Sequence, residues 1–116
     1  MRRGDIHVVD FEPSRGSEAD KRRPAVIVSN DASNAVVARL GRGVVTVVPM
    51  TRNIRHVHPF QVLLPASRTG LEHDSKAQAE QIRAVAVDRI GDRIGLVPYS
   101  LLDKLDEALR IHLDLG

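Results

Sequence analysis

At 116 residues, with 42% hydrophobic and 28% charged side chains, the chain has the size and composition of one globular domain with a modest core of its own. It has no cysteine, which excludes a disulfide framework and any thiolate metal site. The formal net charge is only +2, yet there are 10 Lys and Arg against 6 Asp and Glu up to His58, and 7 against 9 from Pro59 onward; cations gathered in the first half suggest one anion-binding face, for which nucleic acid is the commonest partner.

The first residues, Met1-Arg2-Arg3-Gly4-Asp5, turn polar before any apolar stretch of signal-peptide type, and no apolar run approaches a membrane span. A cytoplasmic location without membrane contact is expected. Residues 4–11 read as a first strand, with Ile6, Val8 and Asp10 on one face and His7, Val9 and Phe11 on the other. Residues 12–22 are polar and carry Pro13, Gly16 and Ser17, which makes them a loop, and a long one of the kind that tends to be functional or mobile.

The chain is organised around the next stretch, Lys21-Arg22-Arg23-Pro24-Ala25-Val26-Ile27-Val28-Ser29-Asn30. Three cations run into a proline and then an apolar run that reads as a covered strand over residues 24–29. Proline pushes the preceding residue towards extended geometry, so Arg23 is expected at the mouth of a rigid strand. That placement suits an arginine that grips a phosphate or carboxylate; a solvated basic turn before a core strand fits the same residues.

Ser29, Asn30 and Asp31 are helix-capping residues and Gly41 or Gly43 can end a helix, so residues 32–40 are expected to form about two turns. A β-branched third strand covers residues 44–48 and ends at Pro49-Met50-Thr51. Residues 52–58 form another basic loop, residues 59–64 a fourth strand begun by proline, and residues 65–74 a loop before a short strand at 75–77. Residues 80–87 read as the next strand. Asp88-Arg-Ile-Gly is repeated at once as Asp92-Arg-Ile-Gly, a period too short for a solenoid, which reads as a turn passing into another short strand. From Pro98 onward Leu101, Leu105, Ala108, Leu109 and His112 recur at helical spacing. The expected whole is a mainly β domain spanning residues 1–116, a small twisted β-barrel or β-sandwich decorated by helices.

The segments Arg3-Gly4-Asp5-Ile6, Val9-Asp10-Phe11-Glu12-Pro13, Gly16-Ser17-Glu18, Arg22-Arg23-Pro24-Ala25-Val26-Ile27-Val28-Ser29, Val47-Val48-Pro49-Met50-Thr51 and Ala79-Glu80-Gln81-Ile82-Arg83, in this order and spacing, resemble the MazF/PemK family across essentially the whole chain. The resemblance implies an SH3-like β-barrel with a C-terminal helix. It implies a homodimer that binds single-stranded RNA in a groove across its interface, and a sequence-specific endoribonuclease toxin that inhibits translation and growth. It further implies cleavage without metal or other cofactor through the ribose 2′-hydroxyl, leaving a cyclic phosphate, and a cognate antitoxin as partner. The family's catalytic arginine and threonine fall on Arg23 and Thr51, and its mobile loop bordering the RNA on Gly16-Ser17-Glu18. Family members often carry Trp or Tyr where this chain has His7; with 3% aromatics, Phe11, Phe60 and Tyr99 are the stacking candidates for bases.

The residue types agree with that chemistry. Phosphodiester cleavage needs a proton taken from the 2′-hydroxyl, a proton given to the leaving oxygen, and stabilisation of the phosphorane. The planar fork of Arg23 matches phosphate oxygens but is a poor base. The Thr51 hydroxyl can hydrogen-bond a phosphate oxygen or satisfy the backbone at the strand end. Glu18 is the nearest carboxylate for a base, and beside three cations it can equally serve a salt bridge. Lys21, Arg22 and Arg52 supply phosphate contacts; Gln81 and Arg83 alternate with Ile82 and either line the groove or face water. His56, His58, His73 and Asp74 raise a metal site or a histidine pair as alternatives to loop residues near RNA, and no ligand spacing supports a metal. A disordered acidic segment with interspersed leucines or aromatics would complement the cationic loops, which is the form expected of the antitoxin. The alternative on the same fold is a CcdB-like, non-enzymatic gyrase poison. That relative uses a C-terminal tryptophan motif, whereas this chain has no tryptophan and ends Leu113-Asp114-Leu115-Gly116. A peptide-binding adaptor would want an aromatic-lined groove, which the composition does not supply.

Overall fold

The computed structural model describes residues 1–11 and 22–116. Seven antiparallel strands, β1 (Asp5–Asp10), β2 (Arg22–Ile27), β3 (Val44–Thr51), β4 (Gln61–Leu64), β5 (Ser75–Gln78), β6 (Arg83–Ala86) and β7 (Ile90–Leu96), are joined by helices α1 (Asp31–Leu40) and α2 (Ala66–Thr69) and followed by α3 (Tyr99–Leu113). The sheet runs β4-β5-β3-β2-β1-β7, with β6 also on β3. It curls into a barrel-like form, and among the described residues its outer strands β4 and β7 do not pair with each other.

The long strand β3 turns the sheet. Val44–Val47 pair with β6 and Met50–Thr51 with β5, so β3 passes from one partner to the other at Val48–Pro49. Pro49 has no N–H to give, and on this flank it meets neither neighbour, while its other edge pairs with Ala25 of β2. The strand therefore continues through the proline to Thr51, where a strand of residues 44–48 was expected to end. Pro24 is tolerated for a related reason. Residues 22–24 pair only with β1, with Val8 opposite Pro24, so the missing donor can lie on the open side and β2 starts two residues before the proline.

Alternation along the strands feeds two cores. Ile6, Val26, Val28, Val48, Met50, Val62 and Leu64 pack with Leu101, Leu105 and Ala108 of α3. Val9, Phe11, Ala25, Ile27, Val45, Val47 and Val85 pack on the other side. The leucine periodicity of α3 thus marks its sheet-facing stripe, as expected. Arg3 fastens the helix further: its Nε donates to the Val28 carbonyl at 2.9 Å and its Nη2 to Asp106 of α3.

Helix α1 forms where the caps predict. Asn30 accepts the Ser33 N–H at 2.8 Å, and Gly41 closes the helix in the left-handed region at φ 67°. Its one fully buried residue is polar: Asn34 Nδ2 donates to the Ser29 carbonyl at 2.8 Å, and Ser29 Oγ in turn accepts the Thr46 N–H at 3.1 Å, so hydrogen bonds join the packing of Val37 in holding α1 against β3.

Two expectations are corrected. Residues 80–87 do not form one strand: Ala79–Gln81 make a 3₁₀ turn before β6. Because β5 and β6 pair with opposite halves of β3, the chain has to step along β3 between them, and the turn makes that step around the fully buried Ala79. Residues 65–74 are not loop throughout, since α2 makes one helical turn after Pro65. Among the described residues no helix is long and apolar enough to cross a membrane.

Candidate active site

Arg23, Thr51 and Arg52 come together at one cleft of about 730 Å³. Pro24, Met50, Leu71 and Ile94 supply its apolar part, and Asn53, Gly70, Glu72, His73 and Ser75 complete its lining. Arg23 is fixed by its pairing with Val9 of β1, and Thr51 by its pairing with Lys76 of β5. Two strands that are neighbours in the sheet thus present to one cavity an arginine and a threonine that are far apart in the sequence.

Thr51 Oγ1 accepts the Asn53 N–H at 3.3 Å. A hydroxyl has two lone pairs and one O–H, so this contact orients the group and leaves the hydrogen available for a ligand oxygen. The backbone reading of Thr51 is met, and the side chain keeps a donor to spare. The same turn continues in Asn53, whose Oδ1 accepts the Arg55 N–H at 3.3 Å. Beyond it the exposed segment is tied down from beneath, because the buried Lys76 donates from Nζ to the His56 carbonyl at 2.5 Å. Gln61 accepts the His58 N–H at 3.2 Å and donates to Glu80 at 2.7 Å, so the far end of the loop is anchored through the 3₁₀ turn.

Not every sequence candidate lies here. Gly16, Ser17, Glu18 and Lys21 fall outside the described residues. Arg22 lines a separate hollow of about 410 Å³ with Asp10, Asp88, Arg89 and Asp92; adjacent strand residues leave on opposite faces, so neighbours in sequence separate in space. Gln81 is exposed in the 3₁₀ turn and does not line the cleft. The histidines divide too. His56 and His58 have ring centroids 6.4 Å apart and His58 stacks on Phe60 at 5.1 Å, whereas His73 lines the cleft with Arg23. Among the described residues, no three of His, Asp and Glu converge as a metal-ligand set.

The stacking candidates have unequal prospects. Phe11 is buried, with the Arg83 guanidinium 5.3 Å over its ring; Phe60 is half-buried under His58; Tyr99 is 86% exposed at the start of α3. His7 is buried in β1, where its Nδ1–H donates to the Gly91 carbonyl at 2.9 Å. It is a structural residue of the strand pair β1–β7, away from the cleft.

The cleft contains residues that the sequence did not single out, namely Asn53, Glu72 and Ser75, together with His73, which the sequence raised only in company with His56, His58 and Asp74. The segment after α2, which carries Glu72, His73 and Ser75, is placed by close backbone packing. A Cβ at Gly95 of β7 would come within 2.6 Å of the Thr69 carbonyl and 3.1 Å of Leu71. The second glycine of the tandem repeat thus lets the segment after α2 lie against β7; the first, Gly91, stands where a Cβ would lie 3.0 Å from the Val8 carbonyl.

A family model, PemK-like, MazF-like toxin of type II toxin–antitoxin system, matches residues 2–113. The chain belongs to the PemK/MazF toxin family. It is 62% identical over 115 residues to Endoribonuclease MazF9 of Mycobacterium tuberculosis, covering 99% of this chain and 98% of that one. It is 35% identical over 121 residues to Endoribonuclease EndoA of Bacillus subtilis, covering 99% and 96%. Among solved structures, a mycobacterial endoribonuclease in complex with its cognate antitoxin superposes with a TM-score of 0.78 at 27% identity, covering 100% of this chain and 97% of that one. The curled sheet and C-terminal helix are those of MazF-type barrels, as the motifs implied. Within this PemK/MazF fold, Arg23 and Thr51 occupy the cleft described above.

Proposed function

We propose that this protein is a sequence-specific endoribonuclease toxin that cuts single-stranded RNA through the 2′-hydroxyl and leaves a 2′,3′-cyclic phosphate. The observation that carries the reading is the meeting of Arg23 and Thr51 in one cleft roomy enough for a nucleotide-sized ligand. The endoribonuclease names of relatives that align over nearly the full chain support it.

In this reading Arg23 holds the non-bridging oxygens as charge builds on the phosphorane, because a guanidinium offers paired donors that stay charged. The Thr51 O–H donates to a phosphate oxygen from a hydroxyl already oriented by Asn53. Arg52 neutralises a flanking phosphate, and Lys21, Arg22, Gly16, Ser17 and Gln81 border the RNA path. Glu18 is the carboxylate that the sequence offers as a candidate base, with a salt bridge to the neighbouring cations as its other use. The reaction uses no metal or other cofactor, takes place in the cytoplasm, and arrests translation by cutting RNA there.

The partners follow from the same site. The protein acts as a homodimer, and a cognate antitoxin inhibits it with a disordered acidic segment that imitates the phosphate chain while burying apolar anchors. RNA and antitoxin then compete, and charge reversal at Lys21 and Arg22 weakens both.

The deciding experiment incubates the purified protein with a long heterogeneous transcript in EDTA and maps the ends. Discrete cuts with cyclic phosphate termini are expected. An intact transcript overturns the ribonuclease reading, and cutting that needs added zinc or manganese overturns its metal independence. Titrating labelled RNA off an Arg23→Ala dimer with an acidic antitoxin peptide tests the shared site; simultaneous binding without loss of affinity would place inhibition elsewhere.

A further inference from the structure

The described lining of the cleft is rich in groups that donate hydrogen bonds and poor in groups that can take a proton. Arg23 and Arg52 only donate, the Asn53 amide does not titrate, and the hydroxyls of Thr51 and Ser75 are too weakly basic to hold a proton at neutral pH. Transesterification nevertheless begins with removal of the 2′-hydroxyl proton. Only two described lining residues can accept it, Glu72 and His73, side by side in the segment that leads into β5, the strand paired with the Thr51 end of β3. A carboxylate brings a negative charge towards the scissile phosphate. A neutral imidazole brings none, and it is the side chain whose ordinary titration range spans neutrality.

We propose that His73 is the general base of this site. The proposal rests on the ribonuclease reading above and assigns a step within it. His73 takes the proton from the ribose 2′-oxygen as that oxygen forms its bond to phosphorus. The P–O5′ bond then breaks, the electron pair leaves on the 5′-oxygen, and that oxygen takes up a proton from water or from the imidazolium. No oxidant, reductant or co-reactant is required, and the products are a cyclic phosphate and a free 5′-hydroxyl. Arg23, which lines the same cleft, supports the dianionic phosphorane.

Two placements make this segment a defined one. Ser75 Oγ donates to the His73 carbonyl at 3.5 Å, which ties the residue to the start of β5, and Asp74 Oδ1 accepts the Ala66 N–H at 2.8 Å, which ties the same turn back to α2. His73 is exposed and carries no core contact, so its replacement is compatible with folding.

The test uses the intact protein and an oligonucleotide containing a mapped cut site. Single-turnover cleavage is followed against pH for the wild type, His73→Ala, His73→Gln and Glu72→Gln, and binding is measured with the same oligonucleotide carrying a 2′-deoxy sugar at the cut. The wild-type rate is expected to rise with pH and then level off, as for any reaction that needs a side-chain base in its unprotonated form. His73→Ala and His73→Gln are expected to lower it by about 10²–10⁴-fold at neutral pH, flatten the rising limb and leave binding of the deoxy analogue unchanged. Added imidazole should restore part of the His73→Ala rate and none of the His73→Gln rate. The proposal is overturned if His73→Ala keeps the wild-type profile, if its loss lies wholly in binding, or if Glu72→Gln alone removes the rising limb. No cutting by the wild type would overturn the ribonuclease reading itself, whereas cutting that is indifferent to His73 would overturn this assignment alone.

Discussion

Gly95 lies against the carbonyl of Thr69 so closely that a Cβ on it would approach that oxygen to 2.6 Å. The contact joins β7 to the end of α2, and the chain that follows, Gly70 to His73, forms one wall of the cleft. A backbone oxygen cannot rotate away as a flexible side chain can. Gly95→Ala is therefore expected to displace the wall, to destabilise the fold by about 1–3 kcal/mol as overpacking does, and to reduce RNA cleavage. Gly91→Ala, with a 3.0 Å approach to the Val8 carbonyl, should be milder in stability and should spare the cleft. Urea unfolding and cleavage rates on both variants check the contrast.

Arg23 is exposed and Thr51 half-buried, so neither holds the core. Arg23→Ala should abolish measurable cleavage with an unchanged melting curve. Thr51→Ala removes one donor and should lower cleavage by about 10²-fold. Arg23→Lys separates charge from geometry: a lysine that restores strong activity would mean that a point charge suffices, while a dead variant supports the planar fork.

Arg3 bridges three elements, donating to the Val28 carbonyl after β2, pairing with Asp106 on α3, and donating its own N–H to Asp31 at 2.7 Å. Arg3→Ala keeps the backbone contact and deletes the other two. The expected loss is about 1–3 kcal/mol, the range for hydrogen bonds to charged groups. Hydrogen exchange in α3 should quicken before exchange in β2 and β3, since the helix is the part fastened by the lost pair.

The Arg3 N–H donating to Asp31 holds that carboxyl below its ordinary value; desolvation opposes it, and the Arg2 charge, the Asn34 hydrogen bond and the Arg3 charge add to the lowering. A depressed folded-state value means that the stabilisation is present above the unfolded aspartate value and lost as pH falls through the folded one. Wild type should therefore exceed Asp31→Asn in stability at neutral pH, and the two should converge in strong acid. Urea midpoints measured down the acid limb give the test; a difference that grows towards low pH would contradict the contact.

Lys76 is buried and gives its ammonium to the His56 carbonyl. Lys76→Met retains the apolar stem and removes the tie. Amide exchange across residues 52–60 should quicken, and the RNA concentration needed for half-maximal cleavage should rise, because Arg52 and Asn53 of the cleft begin that segment.

Much of this was legible along the chain. Asn30 and Gly41 bracket α1 because capping is decided within a few residues, and the leucines of α3 mark its buried stripe because helical period is local. The proline after Arg23 and the β-branched run before Thr51 announced two strands, with a candidate site residue on each. Elements shorter than a periodic pattern escaped. Four residues at 66–69 cannot display a helical repeat, and the 3₁₀ turn at 79–81 hides in a segment whose alternation suits a strand.

By itself the amino-acid sequence determined most of the strands, the two longer helices and the family to which they belong. Local spacing and turn chemistry carry the elements, and the order of the motifs carries the family. Only the tertiary structure decided which distant residues meet. Strand order brought His73 into the cleft of Arg23 and left His56 and His58 outside it. The alternation of β2 sent Arg22 to a different hollow from Arg23. The tandem Asp-Arg-Ile-Gly repeat acquired its meaning only when each glycine was seen against the carbonyl of another element, because steric exclusion at a glycine depends on what the fold places beside it.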